Sequence, residues 1–299
     1  MKIPPYLQPG DQLALISPAS KTDRETVEPA IALLQARGYP IVRGKHLYAV
    51  DHQFAGKDED RRSDFQAMID DPSIKAIICS RGGYGSLRTL KGINWSHFID
   101  HPKWIVGFSD VTVIHSALQQ MNIASVHAAM PRYFLENDKP TPGFEILMNT
   151  LEGKQVRYEL QASEHNIGGK AEGMLVGGNL SILYSLRGTP YDIDTKGKIL
   201  FIEDLSEYLY HLDRMMMNLK AGGKLAGLAA LVVGSFTGMK DHESPFGKTW
   251  QEIILDAVAE YGFPVLFNFP AGHQPENYPL LLGANCKLTI QSDHVELVQ

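Results

Sequence analysis

Short apolar runs that stop at a glycine or small polar residue and pass at once into helical periodicity recur through the first half of this chain. That alternation restricts the fold more than any other feature, because strand-then-helix units call for a parallel sheet covered by helices. Gln12 to Ser17 (QLALIS) reads as a strand, and Asp23 to Arg37 follows with Val27, Ala30, Ile31 and Leu34 at helical spacing. Arg61 to Ile69 is helical, Lys75 to Ser80 (KAIICS) is a strand, Gly82 to Gly85 is a loop, and Ser86 to Leu90 starts another helix. Lys103 to Leu118 (KWIVGFSDVTVIHSAL) supplies the next strand and helix, and Ser125 to Met130 the strand after them. In sheets of this kind functional residues gather at the carboxyl ends of the strands, where Ser80-Arg81-Gly82-Gly83 and Gly107-Phe108-Ser109 both lie.

From about Pro131 the pattern changes. Pro131, Pro140, Pro142 and Gly143 break the regularity before a polar segment that runs to Gly169. The expected organisation is an N-terminal parallel-sheet α/β domain over residues 1–135, a linker over 136–168, and a mixed α+β, strand-rich C-terminal domain over 169–299. In the second half a strand, Lys198 to Asp204 (KILFIED), precedes a helix with Leu205, Tyr208, Leu212, Met215, Met216 and Leu219 on one face. CKLTIQ and HVELVQ, separated by Ser292-Asp293, close the chain as a hairpin. No internal repeat and no low-complexity tract stands out.

Composition removes several function classes. With 28 basic and 34 acidic residues the formal charge is −6, and the signs are interspersed, so there is no basic stripe for a phosphate backbone. No apolar run approaches the roughly 20 residues that span a bilayer. Cys79 and Cys286 are the only cysteines, which suits buried thiols in a reducing cytoplasm better than a disulfide framework. None of the 11 histidines lies in a zinc-binding spacing, so neither a metal nor a cofactor is expected.

Four features carry possible chemistry. Ser109 has two readings. It is a cap for the helix beginning near Asp110, or a nucleophile on a sharp strand-to-helix elbow, with Val111 where the usual G-x-S-x-G has its second glycine. The loop CSRGGYGSLR, Cys79 to Arg88, fits neither a dinucleotide fingerprint nor a P-loop; it is a tight turn or a set of backbone N–H groups for an anion. Glu203 and Asp204 end an apolar strand, and Asp204 is placed to cap the helix that follows, which leaves Glu203 for another task. His273 lies in the aperiodic loop FPAGHQPENYPLLLG, whereas His115 on a helix and His127 in a strand read as packed residues.

Across LALISPAS, AIICSRGGYGSLR, WIVGFSDVTVIHSAL, GMLVGGNLSIL, KILFIEDLSEYLYHLDRMM and FPAGHQPENYPLLLG the chain resembles the LD-carboxypeptidases, also called muramoyltetrapeptide carboxypeptidases. This serine peptidase family includes the microcin C self-immunity peptidases. The resemblance implies a triad of Ser109 in GFSD, Glu203 in FIED and His273 in AGH, with the serine on the first domain and the other two on the second. It implies release of terminal D-alanine from a murein tetrapeptide during cytoplasmic recycling, by a homodimer. Within that mechanism the oxyanion donors are the N–H of Asp110 and one from Gly82 or Gly83, and Arg81 or Arg88 supplies a cation for the D-alanine carboxylate. An immunity-type peptidase cutting a peptidyl-nucleotide amide needs an aromatic platform, for which Tyr84, Tyr208 and Tyr210 are the candidates. The reading from another class is a non-catalytic small-molecule binder that uses the glycine loop.

Overall fold

The computed structural model describes residues 1–299. It divides into two compact units, one of Met1–Lys154 with Pro275–Gly283, the other of Gln155–Gln274 with Ala284–Gln299. Both are α/β in character, and no helix is long and apolar enough to cross a membrane.

In the first unit five strands run parallel: β1 (Gln12–Ile16), β2 (Ile41–Arg43), β3 (Ile74–Cys79), β4 (Trp104–Gly107) and β5 (Ser125–His127). Their order, β2-β1-β3-β4-β5, reverses direction between β1 and β3, the topological position where open α/β sheets build their sites. Helices α1 (Arg24–Ala36), α2 (Asp58–Asp70), α3 (Ser86–Leu90), α4 (Ser96–Asp100) and α5 (Thr112–Gln120) connect them. The strands are apolar because they are buried: Leu13, Ile16, Ile77, Ile78, Ile105 and Val106 are at most 1% exposed, and each such side chain contributes about 1.5–3 kcal/mol by leaving water. A sixth strand, Leu280–Leu282, comes from far down the chain and pairs antiparallel with β5.

The span expected as a linker is folded. It holds a small hairpin of β6 (Leu135–Glu136) and β7 (Lys139–Pro140), then helix α6 (Pro142–Leu151). Thr141 caps α6 by accepting from the Phe144 N–H, and Pro142 occupies the first turn, where its missing N–H costs nothing. Of the prolines read as breakers, Pro142 is therefore a helix start and Pro140 closes β7, while Phe144, Leu147, Met148 and Leu151 bury the inner face of α6. The boundary between the units falls at Lys154–Gln155, not at 135 and 169, and residues 275–283 return to the first.

The second unit has β8 (Arg157–Leu160), β9 (Gly169–Asn179), α7 (Leu180–Ser185), β10 (Ile199–Leu205), α8 (Leu209–Ala221), β11 (Ala230–Thr237), α9 (Trp250–Val258) and β12 (Val265–Leu266). After β13, the Leu280–Leu282 strand of the first unit, come β14 (Asn285–Ile290) and β15 (Val295–Val298), which form the expected terminal hairpin. The sheet order is β12-β11-β10-β9-β14-β15-β8. The long strand β9 serves both halves, antiparallel to β14 through its first part and parallel to β10 through Leu175–Asn179. Leu212, Met215, Met216 and Leu219 of α8 pack with Ile253, Ile254 and Ala257 of α9 and with Leu200, Ile202, Leu231 and Val233 of the sheet. Leu205 and Tyr208 do not join that face. Ser206 adopts a left-handed φ of 56° between β10 and α8, and both side chains are 37% exposed.

Candidate active site

At the end of β4 the chain reverses sharply. Phe108 is extended, Ser109 has φ 64°, and a single 3-10 turn over Ser109–Val111 leads into α5. A left-handed residue bearing a Cβ costs roughly 1–2 kcal/mol, so its surroundings must impose it. Gly107 is part of the reason, because a Cβ there would sit 3.0 Å from both Val111 methyl carbons and 3.2 Å from the Cys79 Cβ. The bare glycine lets a valine stand where the common elbow motif has a second glycine. His115 braces the strand end: Nε2–H donates to the Gly107 carbonyl at 2.8 Å while Nδ1 accepts from Ser125 Oγ at 2.8 Å. Burial pulls its pKa down to about 4, so it stays neutral as the strut expected of a packed histidine. The cap reading of Ser109 fails. Neither the 3-10 turn nor α5 has a side-chain cap, and φ 64° is not the extended conformation a cap adopts.

The glycine loop after β3 lies against this elbow. A Cβ on Gly82 would be 3.0 Å from Ser109 Cβ and 3.2 Å from both the Asp110 nitrogen and the Phe108 oxygen. Ser20, after β1, fixes the loop by donating its N–H to the Gly82 carbonyl at 3.1 Å and accepting from the Tyr84 N–H at 3.2 Å. Gly83, at φ 93°, leaves space for the Ser20 hydroxyl. The Asp110 carboxyl, 3% exposed, does not remain in the first turn of its own helix; Oδ2 accepts from the Ser86 N–H at 2.8 Å, at the start of α3. Burial raises its pKa, against the lowering effect of the Ser86 and Gly85 donors. If Ser109 is a nucleophile and this loop an oxyanion donor, Gly82→Ala should keep the fold and reduce turnover about 10²- to 10³-fold. Steady-state rates and a thermal melt on one preparation check this, and an active variant would remove Gly82 from the site.

The loop's cations differ in availability. Arg88 pairs with Asp58 twice, Nε–Oδ1 at 3.0 Å and Nη2–Oδ2 at 2.7 Å, while Arg81 donates Nη1 to the Lys21 carbonyl at 3.1 Å. Tyr84 is 53% exposed, its ring 5.9 Å from that of Phe54.

In the second unit β10 shifts register against β11 between Ile202 and Asp204, so that Glu203 and Asp204 are both fully buried at the strand's carboxyl end. His273 reaches Glu203 from the turn after Phe269. Its Nδ1–H donates to Glu203 Oε2 at 2.8 Å, and its carbonyl accepts from Thr237 Oγ1 at 3.0 Å. Gly272, at φ 113°, makes the approach possible, because a Cβ there would lie 2.6 Å from Glu203 Oε2 and 2.5 Å from Ser235 Oγ. With the proton on Nδ1, Nε2 is the basic nitrogen of the neutral ring. Burial lowers the pKa of His273, but the hydrogen bond and charge of Glu203, with a further contribution from Asp204, raise it above the ordinary value.

Asn179, which sequence reading passed over, donates Nδ2–H to Glu203 Oε1 and to Asp204 Oδ1, both at 3.1 Å. A polar residue closing an apolar strand just after Gly177-Gly178 was its signal. Asp204 does not cap the helix that follows it. Its Oδ2 accepts from the Ser181 N–H of α7 at 2.8 Å and its Oδ1 from the Leu205 N–H at 2.9 Å, while the start of α8 has no side-chain cap. Burial, with the charge of Glu203 added, pushes its pKa up to about 7. No group of three or more His, Cys, Asp and Glu side chains is placed to hold a metal ion.

Comparison with known proteins adds an independent line. A family model described as the LD-carboxypeptidase N-terminal domain matches residues 13–128, and one described as the C-terminal domain matches 172–288. A probable murein peptide carboxypeptidase of Bacillus subtilis is 34% identical over 290 residues, 95% of this chain and 91% of that protein. A murein tetrapeptide carboxypeptidase of Pseudomonas aeruginosa is 30% identical over 287 residues, 90% of this chain and 91% of that one. Among solved structures, muramoyltetrapeptide carboxypeptidase from Oxalobacter formigenes superposes with a TM-score of 0.85 at 26% identity, covering 96% of this chain and 98% of its own. The microcin C7 self immunity protein MccF, in complex with aspartyl sulfamoyl adenosine, gives a TM-score of 0.87 at 20% identity over 100% and 99% of the two chains, a likeness of fold.

Proposed function

This chain belongs to the LD-carboxypeptidase family, and from that premise we propose that it is a serine peptidase that releases terminal D-alanine from murein tetrapeptides, with Ser109, Glu203 and His273 as its triad. The observation that carries the reading is the buried Glu203–His273 hydrogen bond, which orients an imidazole with Nε2 as its base. The left-handed elbow at Ser109, packed on Gly82, supports it from the first unit.

In this mechanism His273 Nε2 takes the Ser109 hydroxyl proton as Oγ attacks the peptide carbonyl, and Glu203 stabilises the imidazolium. The N–H of Asp110 and one from Gly82 or Gly83 receive the oxyanion, each such donor being worth roughly 3 kcal/mol in related chemistry. The imidazolium then protonates the departing D-alanine nitrogen, and water activated by the same ring releases the acyl group. The reaction requires Ser109 Oγ and His273 Nε2 to come within ~3 Å. For the D-alanine carboxylate Arg81 is the better-suited cation, because Arg88 shares its charge with Asp58. We further place the chain in the cytoplasm, in keeping with two buried free thiols, and as a homodimer, for which sedimentation equilibrium is the check.

A second reading, cleavage of a peptidyl-nucleotide amide, draws support from exposed rings in the second unit. His242 stacks on Tyr208 at 4.5 Å and on Tyr210 at 5.4 Å, a surface suited to a planar base. One assay separates the two. The purified protein is given an L,D-tetrapeptide, its L,L counterpart and an aspartyl sulfamoyl adenosine, and D-alanine and free aspartate are measured. D-alanine from the L,D peptide alone supports the first reading; cleavage of the sulfamoyl adenosine alone replaces it with the second.

A further inference from the structure

The two units place their candidate catalytic residues with the same local construction. In each, the functional residue lies within two residues of a strand's carboxyl end and an aspartate follows at once, Ser109-Asp110 just beyond β4 and Glu203-Asp204 in the last residues of β10. In each, the adjacent parallel strand, β3 beside β4 and β9 beside β10, leads to Gly-Gly-x-x-Ser: Gly82-Gly83-Tyr84-Gly85-Ser86 and Gly177-Gly178-Asn179-Leu180-Ser181. In each, the serine N–H lies in the first turn of a short helix and donates to the aspartate Oδ2, at 2.8 Å in both, across 24 residues in one case and 23 in the other. The carboxyls are 3% and 0% exposed. The sequence reading found no repeat because the matched letters are few and separated by unrelated helices.

We infer that Asp110 and Asp204 are matched positioning residues, each clamping the backbone beside a functional side chain to the glycine loop or strand end next to it. This rests on the triad proposed above. A carboxylate held by a helix's first N–H groups is fixed at both ends of its side chain, so the residue before it cannot relax. At Asp110 the clamp ties the elbow, with Ser109 at φ 64°, to the loop carrying Gly82 and Gly83. At Asp204 it ties the shifted end of β10 to Asn179, whose amide in turn holds the Glu203 oxygen that does not face His273. Neither carboxylate touches the reacting atoms, which Asp110 meets only through its backbone N–H. Each acts through its neighbour.

The test uses Asp110→Asn, Asp110→Ala, Asp204→Asn and Asp204→Ala in the full chain. Asparagine keeps a side-chain oxygen for the serine N–H, and alanine removes it. Both alanine variants are expected to lose about 10²-fold in kcat, corrected for folded fraction, with KM within about threefold, and asparagine is expected to recover most of the loss. Amide exchange at Ser86 should quicken in Asp110→Ala and not in Asp204→Ala, and exchange at Ser181 should show the reverse. The pH profile adds a readout that a purely structural role would not move. His273 is faced by Glu203 and Asp204 from β10, with the neutral Ser235 hydroxyl of β11 near Gly272, so Asp204→Asn should move the acidic limb of kcat/KM to lower pH and Asp110→Asn should leave it in place.

Alanine variants with wild-type kcat, or losses that follow folded fraction alone, would overturn the inference. So would unchanged exchange at the two serines. Should the wild type release no D-alanine, the substrate assignment falls by itself, and labelling of Ser109 by a fluorophosphonate then decides. Slower labelling in Asp110→Ala and Asp204→Ala, restored by asparagine, sustains the clamps; equal labelling removes them.

Discussion

Ser109→Ala is expected to lower turnover by about 10⁴- to 10⁶-fold while leaving KM and the fold close to wild type. The size follows from the loss of the covalent pathway: without Oγ, only water and whatever oxyanion stabilisation remains can act. The fold should persist because Ser109 caps neither the 3-10 turn nor α5, and alanine tolerates the left-handed region about as well as serine. The elbow itself makes a companion prediction. Ser109 stores strain at φ 64°, and Ser109→Gly removes the Cβ that causes it, so this variant should be equally inactive yet more stable by up to about 1 kcal/mol, after glycine's greater entropy loss on folding. Urea melts of wild type, alanine and glycine variants beside D-alanine release test both statements. Equal turnover in wild type and Ser109→Ala would remove the serine from the mechanism.

Much of the fold was legible because its strands are buried on both faces. QLALIS, KAIICS and KILFIED carry that burial as unbroken apolar runs, and α1 and α8 show the helical spacing of Val27, Ala30, Ile31, Leu34 and of Leu212, Met215, Met216, Leu219. Residues 136–168 were misread because proline marks both a break and a helix start, and only the capping geometry of Thr141 tells them apart. The strand Leu280–Leu282 belongs to the first unit through pairing with β5, a long-range choice that three leucines do not encode. At the proposed site, Ser109, Glu203 and His273 were nominated through motifs, and of these Glu203 and His273 are hydrogen-bonded to each other. The partners of Asp110 and Asp204 were not, since an aspartate near a helix start looks like a cap for that helix, while each of these caps a helix more than twenty residues earlier.

Glu203→Gln should be the second most damaging change, reducing kcat by about 10⁴-fold through the imidazole rather than through binding. Glutamine fills the same volume, but its amide can present an N–H to Nδ1 and leave the ring proton on Nε2, the nitrogen the mechanism needs unprotonated. The pH dependence distinguishes this from simple damage. Burial alone would hold His273 below its ordinary pKa, and the hydrogen bond and charge of Glu203 are the main influences that reverse it. Without them the acidic limb of the residual activity should move to lower pH. Stability should follow the same linkage. A histidine whose folded pKa is raised gives stabilisation that is complete below its unfolded value of 6.5 and is lost as pH rises through the folded value. Asp204, raised from 3.8 to about 7, acts in the same direction, since its folded form resists ionisation and the native state loses relative stability until that ionisation is complete. The deficit of Glu203→Gln relative to wild type should therefore be widest below pH 6.5 and narrow as pH rises above that value. Paired urea titrations across that range measure it. A deficit that grows with pH would mean that the His273–Glu203 pair does not carry its charge in the folded protein, and would leave Glu203 as an acceptor that fixes the ring without stabilising an imidazolium.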